Sequence, residues 1–146
     1  MLIRSTPTVD PFFTGKSPKN LNLITNRNSR LIRKYQIKLI FSCVLEQNDE
    51  MARLILRLGA DPETRDEEGR SPIHVAAWQG TDQIVALLLE YGASADSTDN
   101  EGRTALQNAA WQNHDKVVRI LATAGANLAH SCHQGATPLC VAAQER

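Results

Sequence analysis

The sequence has few aromatic residues and no long apolar run. Aromatic residues make up 5% of the 146 residues, whereas hydrophobic residues together make up 42%. The longest apolar-rich stretch, Leu31 to Leu45, is interrupted by basic residues and a glutamine, while a membrane helix needs about 20 predominantly apolar residues. These absences argue against a membrane-spanning helix, and the aliphatic composition favours a helical array over a β-sandwich.

Cysteine is also scarce. Cys43, Cys132 and Cys140 make an odd number with no recognisable secretory signal before them, whereas disulfide frameworks have even numbers of cysteines and form in oxidising compartments. We therefore expect reduced thiols and a cytoplasmic location. A mitochondrial transit peptide is disfavoured, because three prolines between residues 7 and 18 would break the amphipathic helix that it requires.

Acidic residues are nearly absent from the first 38 residues. This segment has eight basic residues against one acid, Asp10, so it carries +7, and the zero net charge of the chain leaves −7 for the remainder. A segment this basic can contact nucleic acid, anionic lipid or an acidic protein surface, including that of its own neighbour. We favour the simpler interpretation of a solvated, disordered arm over residues 1–32.

The sequence does have a period of 33 residues, which indicates a repeat solenoid. Unrelated residue types recur at this step, among them Gly59, Gly92 and Gly125; Gly69, Gly102 and Gly135; Asp49, Asp82 and Asp115; and Trp78 and Trp111. After the arm, the period divides the chain into a degenerate repeat at 33–65, two complete repeats at 66–98 and 99–131, and a truncated repeat at 132–146.

Each complete repeat predicts a turn, a helix, a break, a second helix and a stop. A polar turn ends at Gly69 or Gly102, where a positive φ is easily reached, and a hydroxyl residue then caps a short first helix. The second helix has apolar residues at i, i+3, i+4 and i+7 and ends at a glycine. The same second-helix pattern precedes Gly59, whereas the first helix expected around Leu39 to Leu45 has lost its consensus residues.

The segments GRSPIHVAAWQG, LLLEYGA and DNEGRTALQNAAW resemble the ankyrin repeat, whose hallmark is Thr-Pro-Leu-His followed by alanine and a terminal Gly-Ala. The resemblance covers about residues 39–146 and implies an all-α ankyrin-repeat solenoid whose turn tips and first helices form a concave binding surface. Gln107 and Cys140 stand where the motif has His. The bond possible between Ser71 and His74 is therefore expected to be missing from those repeats, and Cys140 is expected to face the core.

Residue by residue, the resemblance implies a set of variable, outward-facing positions that would contact a partner protein. They are Glu67, Glu68, Arg70, Trp78, Gln79 and Tyr91 in one repeat, and Asn100, Glu101, Arg103, Trp111 and Gln112 in the next. Exposed tryptophan is enriched in binding hot spots, so Trp78 and Trp111 are the main candidates, with ordinary packing against the neighbouring repeat as the alternative. The acidic tips are interpreted as a solvated edge, because Arg70 and Arg103 would neutralise them.

No catalytic, cofactor or metal motif emerges. The segment Gly15 to Ser17 resembles the end of a phosphate-binding loop, but Asp10 stands where that motif needs its first glycine. The histidines and cysteines between residues 130 and 140 lack the paired spacing of a structural zinc site. We predict a protein that is not an enzyme and uses no cofactor.

The predicted function is a protein–protein interaction module, a fragment or short relative of a larger scaffold, whose protein partner has an unknown identity. The alternative is a tether to nucleic acid or an anionic membrane through the basic arm, with nucleic acid disfavoured. Repeats need neighbours to bury their faces. Because the last unit lacks its second helix, we also expect marginal stability, self-association or a truncated gene model.

Overall fold

Helices follow one another in pairs along the chain. The computed structural model describes residues 30–144, so almost all of the predicted arm at 1–32 lies outside the described residues. Within that range there are seven α-helices and no strand, only an isolated bridge between Thr98 and Thr104. The helices are α1 (Arg30–Leu45), α2 (Asp49–Arg57), α3 (Pro72–Gln79), α4 (Asp82–Glu90), α5 (Ala105–Trp111), α6 (Asp115–Thr123) and α7 (Pro138–Gln144).

The helices form two rows. In the first row α1, α3, α5 and α7 pack one against the next, and in the second row α2, α4 and α6 do the same. Within each repeat the first helix also packs against the second, as α3 does against α4. Each repeat therefore contacts its neighbours along one axis, which is the arrangement of a solenoid. The predicted all-α repeat architecture is confirmed.

Local signals set the helix ends where the repeat predicted them. Ser71 caps α3, Pro72 occupies its first turn, and Gly80 ends it with a φ of 78°, a left-handed conformation that costs glycine little. In the next repeat the residue that adopts the left-handed conformation after α5 is Asn113, with a φ of 62°. The glycines that follow the three second-row helices have φ values between 90° and 99°.

The first helix departs from the prediction. α1 begins at Arg30 rather than near Leu39, and it includes the last residues assigned to the arm. Gln36 stands where the next two repeats have Gly69 and Gly102. Because no glycine or proline interrupts residues 30–45, the helix continues through the stretch that forms a polar turn in the later repeats.

The core lies between the two rows and is built from small and aliphatic side chains. Ala76 and Ala77 of α3 are fully buried, and from α4 Leu88 is fully buried and Leu87 almost so. The alanines let neighbouring helices approach closely, while the leucines fill the space between rows. None of the described helices is long and apolar enough to span a membrane.

Candidate protein-binding grooves

Two adjoining grooves lie along the side of the array formed by the first-row helices and the turn tips. The first, which we call the Trp78 groove, has a volume of about 290 Å³. The second, the Trp111 groove, has a volume of about 380 Å³. Arg103 lines both, so the two form one continuous surface.

The Trp78 groove combines an apolar wall with polar groups. Its apolar side chains come from α1 and α3, and its polar ones include three of the predicted contact residues. These are Phe41, Leu45, Val75 and Trp78, with Arg70, Gln79 and Arg103. The Trp111 groove contains the predicted residues Glu101, Arg103 and Trp111. The structure therefore brings six of the eleven predicted residues together on one surface.

The two tryptophans are substantially exposed. Trp78 lies in the last turn of α3 and Trp111 ends α5, which confirms their expected positions near the ends of adjacent first helices. Their exposed fractions are 47% and 40%. The remaining surface of each indole is covered by the protein, so each ring is held in place and still presents apolar area to solvent.

Hydrogen bonds from neighbouring repeats hold the backbone of the Trp78 groove. His114 Nε2 lies 2.9 Å from the carbonyl oxygen of Trp78, so the following repeat fixes the end of α3. Gln79 Nε2 donates to the carbonyl oxygen of Leu45 at 3.3 Å, which ties α3 to α1. Gln79 Oε1 is buried and has no hydrogen-bond partner among the described residues.

The arginines of the turn tips are each held by two carboxylates. Arg70 pairs with Asp66 at 2.8 Å and with Glu68 at 3.2 Å. One repeat later, Arg103 makes the equivalent pairs with the corresponding aspartate and glutamate. Each arginine thus offsets one negative charge of its tip, so the expected neutralisation is partial and an acidic excess remains. The pairs with Glu68 and Glu101 are exposed and contribute little to stability, but all four pairs orient a guanidinium beside the grooves.

Asp99 anchors its tip from a buried position. Burial by itself would raise the pKa of this carboxyl, but hydrogen bonds from the backbone and side chain of Arg103, and from the Glu101 N–H, outweigh it and lower the pKa below its ordinary value. The carboxylate thus remains ionised and fixes the guanidinium of Arg103 at 2.9 Å.

The other predicted contact residues are not gathered in the grooves. Asn100 joins two tips, since its side chain donates to the Glu67 carbonyl oxygen at 3.2 Å and its N–H to the Glu68 carbonyl oxygen at 3.1 Å. Gln112 caps the C-terminus of α5 and is exposed. Tyr91 lies after α4 in the second row, half-buried against the core. Its contact role remains a prediction without support from its position.

A buried capping arrangement beneath the grooves joins successive repeats. His74 Nδ1 lies 3.1 Å from the Ser71 N–H nitrogen, and His74 Nε2 lies 3.0 Å from the carbonyl oxygen of Arg103 in the next repeat. Since a carbonyl only accepts, Nε2 carries the proton and Nδ1 accepts. Gln107 does the same one repeat later, bonding the N–H of Thr104 and the carbonyl oxygen of Ala136.

The sequence-based expectation for these repeats needs two corrections. Gln107 has no imidazole, but its side-chain amide makes the equivalent hydrogen bond to the backbone of Thr104. The capping-box spacing Thr-x-x-Gln already indicated this bond. Cys140 is exposed rather than core-facing, and it lines the Trp111 groove. Cys43 is buried as expected, and burial raises the pKa of its thiol.

The pH dependence of stability tests the neutral state of His74. Burial lowers the pKa of His74 below its ordinary value of 6.5, so below that pH the unfolded chain takes up a proton that the folded chain excludes. The contribution of neutral His74 to the free energy of unfolding is therefore complete above pH 6.5. It is lost as the pH falls from 6.5 toward the lowered pKa of the folded state. We expect the thermal midpoint of the wild type to fall between pH 7.5 and 5 by more than that of His74→Gln.

His74→Gln is the matched variant because it copies Gln107 of the next repeat and does not titrate. All other ionisable groups are common to the two proteins, so the difference between their midpoints isolates His74. Parallel pH profiles for the two proteins would contradict the assignment.

A two-row solenoid with open grooves along its first helices belongs to the class of repeat proteins that bind through an extended surface. A family model described as ankyrin repeats, in three copies, matches residues 39–132. The chain belongs to the ankyrin-repeat family. Comparison with curated proteins found no match. Ankyrin repeats generally act as protein–protein interaction modules and are typically non-enzymatic. Among the described residues, no three or more His, Cys, Asp or Glu side chains are grouped so that they could hold a metal ion.

Proposed function

We propose that the chain binds a partner protein through the Trp78 and Trp111 grooves, with the two tryptophans as anchors. The observation that carries the proposal is the exposure of both indoles, 47% and 40%, on one continuous surface. Tryptophan and arginine are the side chains most enriched in binding hot spots. Here Arg70 and Arg103 lie beside the tryptophans, already oriented by their carboxylate partners.

The groove chemistry favours a partner segment with an apolar anchor. Phe41, Leu45 and Val75 line the groove together with Trp78 and offer apolar contact, while the guanidinium groups of Arg70 and Arg103 offer hydrogen-bond donors. Orientation by a few polar groups in a mostly apolar cleft is typical of recognition sites.

Affinity capture with the full chain tests this proposal. Trp78→Ala combined with Trp111→Ala should reduce the amount of captured partner at least tenfold, because hot-spot truncations cost about 2 kcal/mol or more. Met51→Ala is the matched control, since Met51 is 44% exposed but lies on α2 in the second row. Circular dichroism should show that both variants keep the helical fold.

Two outcomes would contradict the proposal. One is a folded double tryptophan variant that captures the same partners in the same amounts as the wild type. The other is capture that survives the tryptophan changes but is lost in high salt. That result would favour the alternative function, a tether to anionic membrane or nucleic acid through residues 1–38, because charge-driven binding weakens steeply with salt.

A narrower resemblance suggests a cellular setting. The segments AAWQG, ALQNAAWQ and CHQGATPLCVAAQE resemble the C-terminal repeats of a large animal scaffold, ankyrin repeat domain-containing protein fifty. On that resemblance we extend the proposal to a cytoplasmic scaffold fragment acting in intracellular membrane traffic. A tagged chain located away from every membrane-traffic compartment would contradict this extension and leave the groove proposal unaffected.

A further inference from the structure

We infer that the N-terminal segment around Phe12 and Phe13 binds in the Trp78 groove of its own chain and competes there with the partner protein. This inference rests on the proposed function of the groove and adds its regulation. The occupant it names is residues 8–20 of this chain, with the sequence TVDPFFTGKSPKN.

The first support is the match between an apolar anchor and an apolar groove. Phe12 and Phe13 are the only aromatic residues before Tyr35. The groove presents Leu45, which is 58% exposed, beside Trp78, which is 47% exposed. Aromatic rings pair favourably in offset or edge-to-face geometry, so a phenylalanine entering the groove gains contact with the indole as well as burial.

The second support is charge complementarity. Residues 1–29 carry four basic residues against Asp10, a net charge of +3. The tip at 66–70 has three acids against one arginine, and the tip at 99–103 has two acids against one, so together they carry −3. The groove arginines are each held by two carboxylates, which leaves the acidic excess to attract the lysines.

The spacing of the lysines suits this arrangement. Lys16 and Lys19 follow Phe13 by three and six residues, which corresponds to about 10 and 20 Å of extended chain. With Phe13 in the groove, both ammonium groups can reach the acidic tips that border it. Glu67 and Glu68 are exposed there, and Glu67 makes no ion pair among the described salt bridges.

The third support is reach. The groove lies at the C-terminal end of α1, and Arg30 to Leu45 spans about 22 Å of helix. The 17 residues from Phe13 to Arg30 can span up to about 56 Å when extended. The segment can therefore double back along α1 to the groove without strain. A tether of this length gives an effective concentration in the millimolar range, which favours the chain's own segment over that of a second copy.

Quenching of Trp78 fluorescence by acrylamide tests the inference. The full chain carries Trp111→Phe so that Trp78 is the only reporter. Adding Phe12→Ser and Phe13→Ser should raise the quenching constant at least twofold, because the segment no longer shields the indole. Leu2→Ser with Ile3→Ser is the matched control, an equally severe change elsewhere in the same segment, and should leave the constant unchanged.

A synthetic peptide of residues 8–20 provides the second measurement. It should bind the Phe12→Ser/Phe13→Ser protein and restore the low quenching constant, and it should bind the unaltered protein at least tenfold more weakly. The same peptide with both phenylalanines changed to serine should not bind. Quenching constants that are equal with and without the phenylalanines, or shielding that disappears on dilution, would overturn the inference of binding within one chain.

Partner capture separates this inference from the proposal on which it rests. Phe12→Ser with Phe13→Ser should increase partner capture at least threefold, whereas the double tryptophan variant should lose it. Capture that depends on the tryptophans but is unchanged by the phenylalanine variant would overturn the inference and leave the proposed function standing.

Discussion

Replacing Leu88 with alanine is expected to lower the free energy of unfolding by about 2 to 5 kcal/mol. Leu88 is fully buried in α4, and α4 packs against both α2 and α6. Truncation removes transfer free energy and leaves a cavity at the centre of the second row. Because the interfaces between neighbouring repeats contribute to the stability of each repeat, the loss should weaken the whole array rather than one helix. Urea denaturation followed by circular dichroism measures it.

Leu139→Ala is the matched control, since it makes the same chemical change at a residue that is 78% exposed. We expect it to change the free energy of unfolding by no more than about 0.5 kcal/mol. If the two substitutions cost the same, the second row does not form the core described above, or residues 138–144 pack against a surface outside the described residues.

Replacing His74 with alanine is expected to cost on the order of 3 kcal/mol, from a buried donor left without its acceptor and a cavity left by the ring. The N–H of Ser71 loses its buried acceptor, and the bond to the carbonyl oxygen of Arg103 in the next repeat disappears. The second of these losses removes a bond between two repeats, so thermal unfolding should become less cooperative as well as begin at a lower temperature.

His74→Gln provides the control for this substitution. The amide at Gln107 already makes both bonds in the next repeat, so a glutamine at position 74 should restore stability to within about 1 kcal/mol of the wild type. A glutamine variant as unstable as the alanine variant would mean that the ring's shape, rather than its two hydrogen bonds, holds the repeats together.

The repeat architecture was predictable because each part of it depends on local chemistry. Gly80 and Gly69 need a positive φ that other residues adopt at a cost, and Ser71 with Pro72 starts a helix through capping and a preset φ. These requirements recur every 33 residues, so the period predicted both the secondary structure and the order in which the helices pack. The positions of Trp78 and Trp111 followed from the same register.

Other features depend on what surrounds a residue and were not predicted. Nothing near Arg30 marks a helix start, so the length of α1 came from the absence of a breaker at Gln36. The exposure of Cys140 depends on which elements lie beyond α7. Tyr91 fits both an apolar helix face and an outward-facing position by its spacing, and only packing against the core placed it in the second row.

The long α1 also makes the two ends of the proposed binding surface different. Where the second and third repeats present turn tips at 66–70 and 99–103, the first presents helix, with Lys34 and Lys38 exposed along it. A segment lying across both grooves therefore meets a helical wall with Phe41 and Leu45 at one end and acidic turns farther along. The two directions in which a peptide could lie in the grooves are therefore not equivalent. A peptide and its reversed sequence should bind with different affinities, although their amino-acid compositions are the same.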